Sequence, residues 1–216
     1  MDPNQRPARI VELLSGEYPG AETELVHRTT WELLVATILS AQCTDHRVNQ
    51  VTPVLFSRWP SPADLAGAGQ DELEEAIRAT GMFRRKASSL RAAAKIVSEE
   101  HSGEVPADLD ALIALPGVGR KTAKVVLGQA FGISAGVVVD THVRRLARRL
   151  GLTRHDDPEK VAAELEGLIP RAEWTTFSMR LILHGRRVCV ARSPRCDVCV
   201  LDGVCPRVGV TTRMVS

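Results

Sequence analysis

Aromatic residues and long apolar runs are both scarce in this 216-residue chain. Aromatics supply only 4% of the sequence although 44% of it is hydrophobic, so a core must be built mainly from aliphatic side chains. No apolar run approaches the roughly 20 residues that span a bilayer, and the N-terminal MDPNQRPARI lacks the apolar stretch of an export signal. Basic and acidic side chains number 28 and 26, a balance that excludes a polybasic or an acidic disordered protein. These absences predict a cytoplasmic protein with neither a signal peptide nor a transmembrane segment.

The pattern that is present is helical. Trp31, Leu34, Val35 and Ile38 follow the i, i+3, i+4, i+7 spacing of one helix face. Amphipathic stretches of the same period recur along the chain, at 63–78, 86–100, 123–130, 143–150, 158–169 and 174–184. Glycine and proline separate them. The sequence therefore predicts an all-α fold of nine or ten short helices, in which the β-like run 137–139 is an extended, buried connector.

Basic residues are concentrated in two segments. Residues 120–149 carry seven basic side chains and one acidic one, and residues 180–216 carry seven and two. This segregation fits a surface that binds a polyanion. Solvated helix faces would give the same counts, so charge alone leaves both interpretations open.

Four of the five cysteines lie close together near the end of the chain. They have the spacing C-x6-C-x2-C-x5-C, at Cys189, Cys196, Cys199 and Cys205. Without an export signal, disulfides are the weaker interpretation, because the cytosol keeps thiols reduced. Four thiolates hold either a tetrahedral zinc ion or a [4Fe-4S] cluster. A zinc ribbon usually pairs two C-x2-C knuckles, and the single knuckle here favours the cluster.

The segment LPGVGRKTA, which begins at Leu115, places a glycine-rich turn before a new amphipathic helix. Gly117 and Gly119 permit tight backbone geometry and expose amide groups beside a helix N-terminus, where a phosphate binds readily. An ordinary helix-helix turn with a glycine cap would have the same sequence. The basic residues Arg120, Lys121 and Lys124 favour the anion-binding interpretation.

Together, the order and spacing of these motifs resemble the endonuclease III family of helix-hairpin-helix DNA glycosylases. The matching segments cover nearly the whole chain, in the order WELLVATILSAQCTD, TGMFRRKA, GEVP, LPGVGRKTA, VDTHV, LILHGRRVC and the four cysteines. The resemblance implies a six-helix barrel domain with the helix-hairpin-helix over residues 23–134. It implies a discontinuous iron-sulfur cluster domain over residues 1–22 and 135–216, whose four cysteines hold a [4Fe-4S] cluster.

The same resemblance implies a bifunctional DNA glycosylase and AP lyase that removes oxidised pyrimidines from duplex DNA in base excision repair. Lys121 corresponds to the family's nucleophile, whose amine attacks C1′ of the deoxyribose, forms a Schiff base and permits β-elimination of the 3′ phosphate. Asp140 corresponds to its carboxylate partner. A helix N-terminus and neighbouring basic residues should favour the neutral amine that attack requires. From the residues alone, a phosphate-binding or solvated lysine and an N-capping aspartate are alternatives.

Base removal requires the target base to leave the duplex, and something must fill the gap. In the family a glutamine and an apolar wedge, commonly leucine, do this, and they correspond to Gln42 and Met82. A polar loop residue and a core methionine are the alternatives. Ser40, Asp45 and His142 correspond to the base pocket, although capping or surface roles would also explain them. Further contacts to DNA are expected in the helix-hairpin-helix, at Gly117, Val118, Gly119 and Lys124.

Two other functions stay open. A monofunctional glycosylase of the adenine-excising branch also carries the helix-hairpin-helix and cluster. That branch lacks the lysine and uses a glutamate in an early helix, which TILSAQ does not contain. A non-catalytic iron-sulfur protein that only recognises damage is the second alternative, and the presence of both Lys121 and Asp140 argues against it. We expect a monomer, associated with the nucleoid, whose partner is duplex DNA containing oxidised pyrimidines or abasic sites.

Overall fold

The computed structural model describes residues 4–210, and this part of the chain contains α-helices, short 3-10 helices and no β-strand. The eleven α-helices are α1 (Arg6–Glu17), α2 (Thr30–Leu39), α3 (Asp45–Arg58), α4 (Pro62–Ala66), α5 (Gln70–Ile77), α6 (Phe83–Glu100), α7 (Leu109–Ala114), α8 (Arg120–Phe131), α9 (Thr141–Arg149), α10 (Pro158–Leu168) and α11 (Trp174–Arg187). Three 3-10 helices lie at Arg78–Thr80, Arg171–Glu173 and Cys196–Val198. The all-α prediction is confirmed.

The expected count of nine or ten helices was too low. The stretch 63–78 is two helices rather than one, because residues 67–69 interrupt it between α4 and α5. The amide of Gly67 turns back to the carbonyl of Ala63, which ends α4 after five residues. Its start is fixed by a capping box, in which the side chains and amides of Ser61 and Asp64 bond reciprocally. The turn at Gly67 and the capping box at Ser61 therefore produce a separate short helix, although the amphipathic spacing continues from α4 into α5.

The described residues divide into two compact units, here called the central unit (residues 23–133) and the terminal unit (residues 4–22 and 134–210). The terminal unit is discontinuous in sequence, because α1 precedes the central unit and α9–α11 follow it. No helix within residues 4–210 is both long and apolar enough to cross a lipid bilayer.

Helix α2 is the core of the central unit. Every residue from Trp31 to Leu39 is buried, as expected for a helix that is apolar all round. It packs against α3, α6 and α8, and α6 also covers α4 and α5. The side chain of Thr29 begins the helix by accepting a hydrogen bond from the amide of Glu32. Helices α7 and α8 pack against each other around the glycine-rich turn.

Helix α11 has the corresponding role in the terminal unit, where it packs against α9 and α1. The connector before α9 is neither helix nor strand, and its Val137 and Val138 are buried. Their amides are satisfied by side chains: Val137 N donates to Glu166 at 2.8 Å, and Val138 N donates to Ser178 Oγ at 2.9 Å. Buried backbone donors need such partners. The connector thus runs through the core without a sheet.

Candidate functional site

The glycine-rich turn between α7 and α8 has a geometry that only glycine permits at one position. Gly117 has φ of +85°, and a Cβ there would lie 2.9 Å from the Cβ of Ser89. The Val118 amide donates to the Leu115 carbonyl at 3.0 Å, and the Val118 side chain is buried. Gly117 and Gly119 are exposed. The surface of the turn is therefore backbone, and the expected role of Val118 in DNA binding is restricted to its main chain.

Helix α8 starts directly after this turn. Within the described residues no side chain caps its first turn, and Gly119 occupies the N-cap position. The first amides of a helix lack intrahelical acceptors, and the macrodipole places partial positive charge there. Lys121 lies in this first turn and is exposed, whereas Lys124, one turn further, is half-buried. The arrangement places an exposed lysine amine and backbone amides without intrahelical acceptors at one helix end.

Asp140 is the N-cap of α9 in the terminal unit, which agrees with the N-capping interpretation of this residue. Its Oδ1 accepts a hydrogen bond from the Val143 amide at 2.8 Å, and the residue is half-buried. Two residues further, the Nδ1 atom of His142 lies 3.2 Å from the guanidinium of Arg145. Burial lowers the pKa of His142, and the Asp140 carboxylate partly opposes this effect. The catalytic and base-pocket roles of these two residues stay predictions.

Gln42 and Met82 lie in two loops of the central unit, here called the glutamine loop (residues 40–43) and the methionine loop (residues 81–82). Both residues are exposed and both have left-handed backbones, with φ of 53° and 45°. Met82 is 46% exposed, so the alternative of a core methionine is wrong. Non-glycine residues in this region are uncommon and cluster at functional sites.

Ser40 is the first residue of the glutamine loop, and Asp45 lies two residues after its end. Ser40 is the C-cap of α2, and its hydroxyl donates to the Thr37 carbonyl at 2.8 Å. Asp45 is the first residue of α3, whose N-cap is Thr44. Both residues are half-buried. Local capping accounts for the Ser40 hydroxyl, and the assignment of both residues to a base pocket stays a prediction.

All five cysteines lie within residues 4–210 and form no disulfide, so the disulfide alternative is wrong. Four of them line one cavity of the terminal unit, whose other walls combine apolar residues with Arg149, His184, Arg195, Asp202 and Arg207. Its lining includes Cys189, Cys196, Cys199, Cys205, Leu146, Leu150, Val188, Pro194 and Leu201. A tetrahedral zinc site brings every sulfur to about 2.3 Å from one ion. No three metal-binding side chains among the described residues converge on a single ion in this way.

The sulfurs of this cavity receive hydrogen-bond donors from the surrounding chain. Arg149 Nη1 lies 3.3 Å from Cys189 Sγ, and the Arg207 amide lies 3.3 Å from Cys205 Sγ. Burial, together with the neighbouring cysteines, raises the pKa of the Cys199 thiol to about 11, although a hydrogen bond with the Leu201 backbone lowers it. Four thiolates at one place therefore require compensating cations. The donor set and the apolar walls fit a polynuclear iron-sulfur group, whose potential depends on such hydrogen bonds.

Two side-chain contacts, from Tyr18 to His184 and from His184 to Cys199, connect the N-terminal segment with this cavity. The Tyr18 hydroxyl lies 3.1 Å from His184 Nδ1, and His184 Nε2 lies 3.3 Å from Cys199 Sγ. Burial lowers the pKa of His184 to about 4, so the ring is neutral and carries one N–H. With Tyr18 donating to Nδ1, that N–H lies on Nε2 and donates to the sulfur. Sequence reasoning missed this contact because Tyr18 and His184 are 166 residues apart.

Comparisons with known proteins agree with this architecture. Residues 35–171 match the HhH-GPD superfamily of base excision DNA repair proteins. Endonuclease III of Synechocystis sp. is 52% identical over 202 residues, which are 94% of this chain and 92% of that protein. Endonuclease III of Escherichia coli strain K12 is 39% identical over 196 residues, with 91% and 92% of the two chains covered.

Solved structures give the same result. The chain resembles a trapped covalent intermediate of endonuclease III with DNA, an estranged-adenine complex, with a TM-score of 0.89 and 42% identity. That match covers 96% of this chain and 97% of the other. A non-covalent endonuclease III–DNA complex matches with the same TM-score, at 43% identity.

Proposed function

Because the chain belongs to the endonuclease III family of helix-hairpin-helix DNA repair proteins, we propose that it is a bifunctional DNA glycosylase and AP lyase. Its substrates are oxidised pyrimidines and abasic sites in duplex DNA. The observation that carries this proposal is the exposed Lys121 amine in the uncapped first turn of α8, next to the glycine-rich turn. We further propose that the protein acts as a monomer on nucleoid DNA.

Lys121 is the nucleophile of the proposed reaction. Its neutral amine forms a bond to C1′ while the glycosidic bond breaks and its electron pair leaves with the base. Ring opening then gives a Schiff base, and loss of a proton from C2′ expels the 3′ phosphate. Asp140 stabilises the positive charge that develops on the sugar and takes up the lysine proton. The family identity and the two matching motifs support these roles.

Gln42 and Met82 fill the space that the damaged base leaves. Both are exposed on loops, and one is polar while the other is apolar. An amide contacts the base left without its partner, and a thioether stacks between neighbouring base pairs. The main chain of the glycine-rich turn and Lys124 contact the backbone phosphates, which fixes the position of the protein along the duplex.

We also assign a [4Fe-4S] cluster to Cys189, Cys196, Cys199 and Cys205. When bound, the cluster cross-links a segment that has little apolar core of its own. Arg149 organises the same segment through the chain itself: its guanidinium donates to the carbonyls of Val190 and Ala191 at 2.8 Å and 2.6 Å. These hydrogen bonds fix the backbone that carries the basic residues Arg192 and Arg195.

The test is a borohydride-trapping gel with duplex DNA that contains one thymine glycol. We expect a covalent adduct with the unmodified chain, none with Lys121→Ala, and a weaker but persistent adduct with Lys124→Ala. Lys124→Ala is the matched control, because it removes one positive charge from the same helix. A chain that binds the duplex and forms no adduct would refute the lyase activity and favour the monofunctional or recognition-only alternative.

A further inference from the structure

Lys86 is a buried lysine that the mechanism does not use. It lies in the first turn of α6 and is only 4% exposed. Its Nζ donates to the Leu39 carbonyl at 2.8 Å and to the Thr80 carbonyl at 2.7 Å. Both acceptors are neutral backbone groups, and burying an ammonium is costly unless hydrogen bonds compensate. An apolar side chain would fill the same space at lower cost, so the ammonium itself needs an explanation.

The two acceptors end two different helices. Leu39 is the last residue of α2, and Thr80 is the last residue of the 3-10 helix Arg78–Thr80. Carbonyls at helix ends lack intrahelical donors and carry partial negative charge, so a cation there is favourable. A single ammonium thus caps two helix ends that are about forty residues apart in sequence.

Each capped carbonyl immediately precedes one of the two loops that we assign to DNA insertion. The glutamine loop starts directly after Leu39, and the methionine loop starts directly after Thr80. The methionine loop also contains Gly81, with φ of 69° and ψ of 159°, a conformation nearly confined to glycine. Left-handed residues persist only where the surrounding structure holds them. Lys86 donates a hydrogen bond to the residue that immediately precedes each loop.

We propose that Lys86 is a positioning residue that fixes the glutamine and methionine loops relative to each other, so that Gln42 and Met82 enter the duplex together. This inference rests on the proposed insertion role of those two residues. It assigns to Lys86 no contact with DNA. Its contribution belongs to the steps that open the duplex, and the chemistry at Lys121 does not depend on it.

The experiment compares Lys86→Met with Lys95→Met, which removes an exposed lysine from the same helix. Two single-turnover rates are measured for each: thymine glycol excision from duplex DNA, and strand cleavage at an abasic site in single-stranded DNA, which needs no gap to be filled. We expect Lys86→Met to slow duplex excision on the order of 100-fold, as small misplacements do. Single-strand cleavage should keep its wild-type rate. Lys95→Met should change neither.

A second measurement uses 2-aminopurine opposite the lesion. Its fluorescence should rise when the unmodified chain binds and separates the base from its partner, and the rise should be absent with Lys86→Met. If Lys86→Met does not fold, Lys86→Arg takes its place. The guanidinium of arginine keeps the positive charge but changes the spacing of the two carbonyls. An equal loss on both substrates, or an unchanged duplex rate, overturns the proposal. Failure of the proposed function is distinct, because the unmodified chain would then fail to process at least one of the two substrates.

Discussion

The substitution Gly117→Ala tests whether the glycine-rich turn depends on one close approach. The new Cβ would lie 2.9 Å from Ser89 Cβ and 3.3 Å from Ser89 Oγ, and the backbone would hold an alanine at φ of +85°. A left-handed non-glycine residue costs about 1–2 kcal/mol, and overpacking adds about 1–3 kcal/mol. Alanine also lowers the conformational entropy of the unfolded chain, which offsets these costs by up to about 1 kcal/mol. We expect the free energy of unfolding to fall by about 3 kcal/mol.

A double-mutant cycle separates the two costs. Ser89→Gly removes both crowding atoms and leaves Ile38 Cγ2 at 3.5 Å, an ordinary contact. In that background Gly117→Ala should cost only the backbone strain, so the coupling between the two sites should be about 2 kcal/mol. Ser89→Gly alone should cost about 0.5–1 kcal/mol, because glycine weakens the interior of α6.

Urea denaturation followed by far-ultraviolet circular dichroism measures all four free energies. Gly119→Ala is the matched control in the same turn, since nothing lies within 4 Å of its new Cβ. It should cost no more than about 1 kcal/mol, through a poorer N-cap. Equal costs of Gly117→Ala with and without the Ser89 side chain would refute the close approach as the reason for glycine.

Two further predictions concern the terminal unit. Asp140→Asn should preserve the N-cap and change the free energy of unfolding by a few tenths of a kcal/mol, whereas Asp140→Ala should cost about 1 kcal/mol. Both should slow single-turnover base excision, and a wild-type rate in the asparagine variant would exclude a role for the charge. His184→Ala removes a donor 3.3 Å from Cys199 Sγ, a ligand of the proposed cluster, so voltammetry of the cluster-loaded protein should show a more negative reduction potential. Tyr18→Phe keeps that donor and should give a smaller shift; equal shifts would contradict the assigned tautomer.

Local patterns in the sequence were sufficient for the all-α class and for the α7–turn–α8 hairpin, and they singled out the four cysteines that line one cavity. Each depends on residues that are close in the chain: a helical period, two glycines beside one apolar residue, or a fixed thiol spacing. The N-cap role of Asp140 is similarly local, because its acceptor and donor are three residues apart.

Contacts between distant segments were not visible in the sequence. Lys86 stands in TGMFRRKA as one of several basic residues, and nothing local distinguishes its buried amine from the exposed side chains of Arg84 and Arg85. Only the fold brings Leu39 and Thr80 to it. The sequence around His184 likewise indicates only an amphipathic helix, because its partners Tyr18 and Cys199 come from opposite ends of the chain.

The discontinuous terminal unit has a consequence for synthesis on the ribosome. Helix α1, whose Ile10 and Leu14 are buried, precedes the central unit, yet it packs against α11, which ends about 170 residues later. At ordinary elongation rates this interval lasts roughly 10–30 s. The central unit is continuous and has all its residues available within that time. The nascent chain therefore carries the amphipathic helix α1 without its α11 partner while the whole central unit is synthesised, and its apolar face is open to a chaperone during that interval.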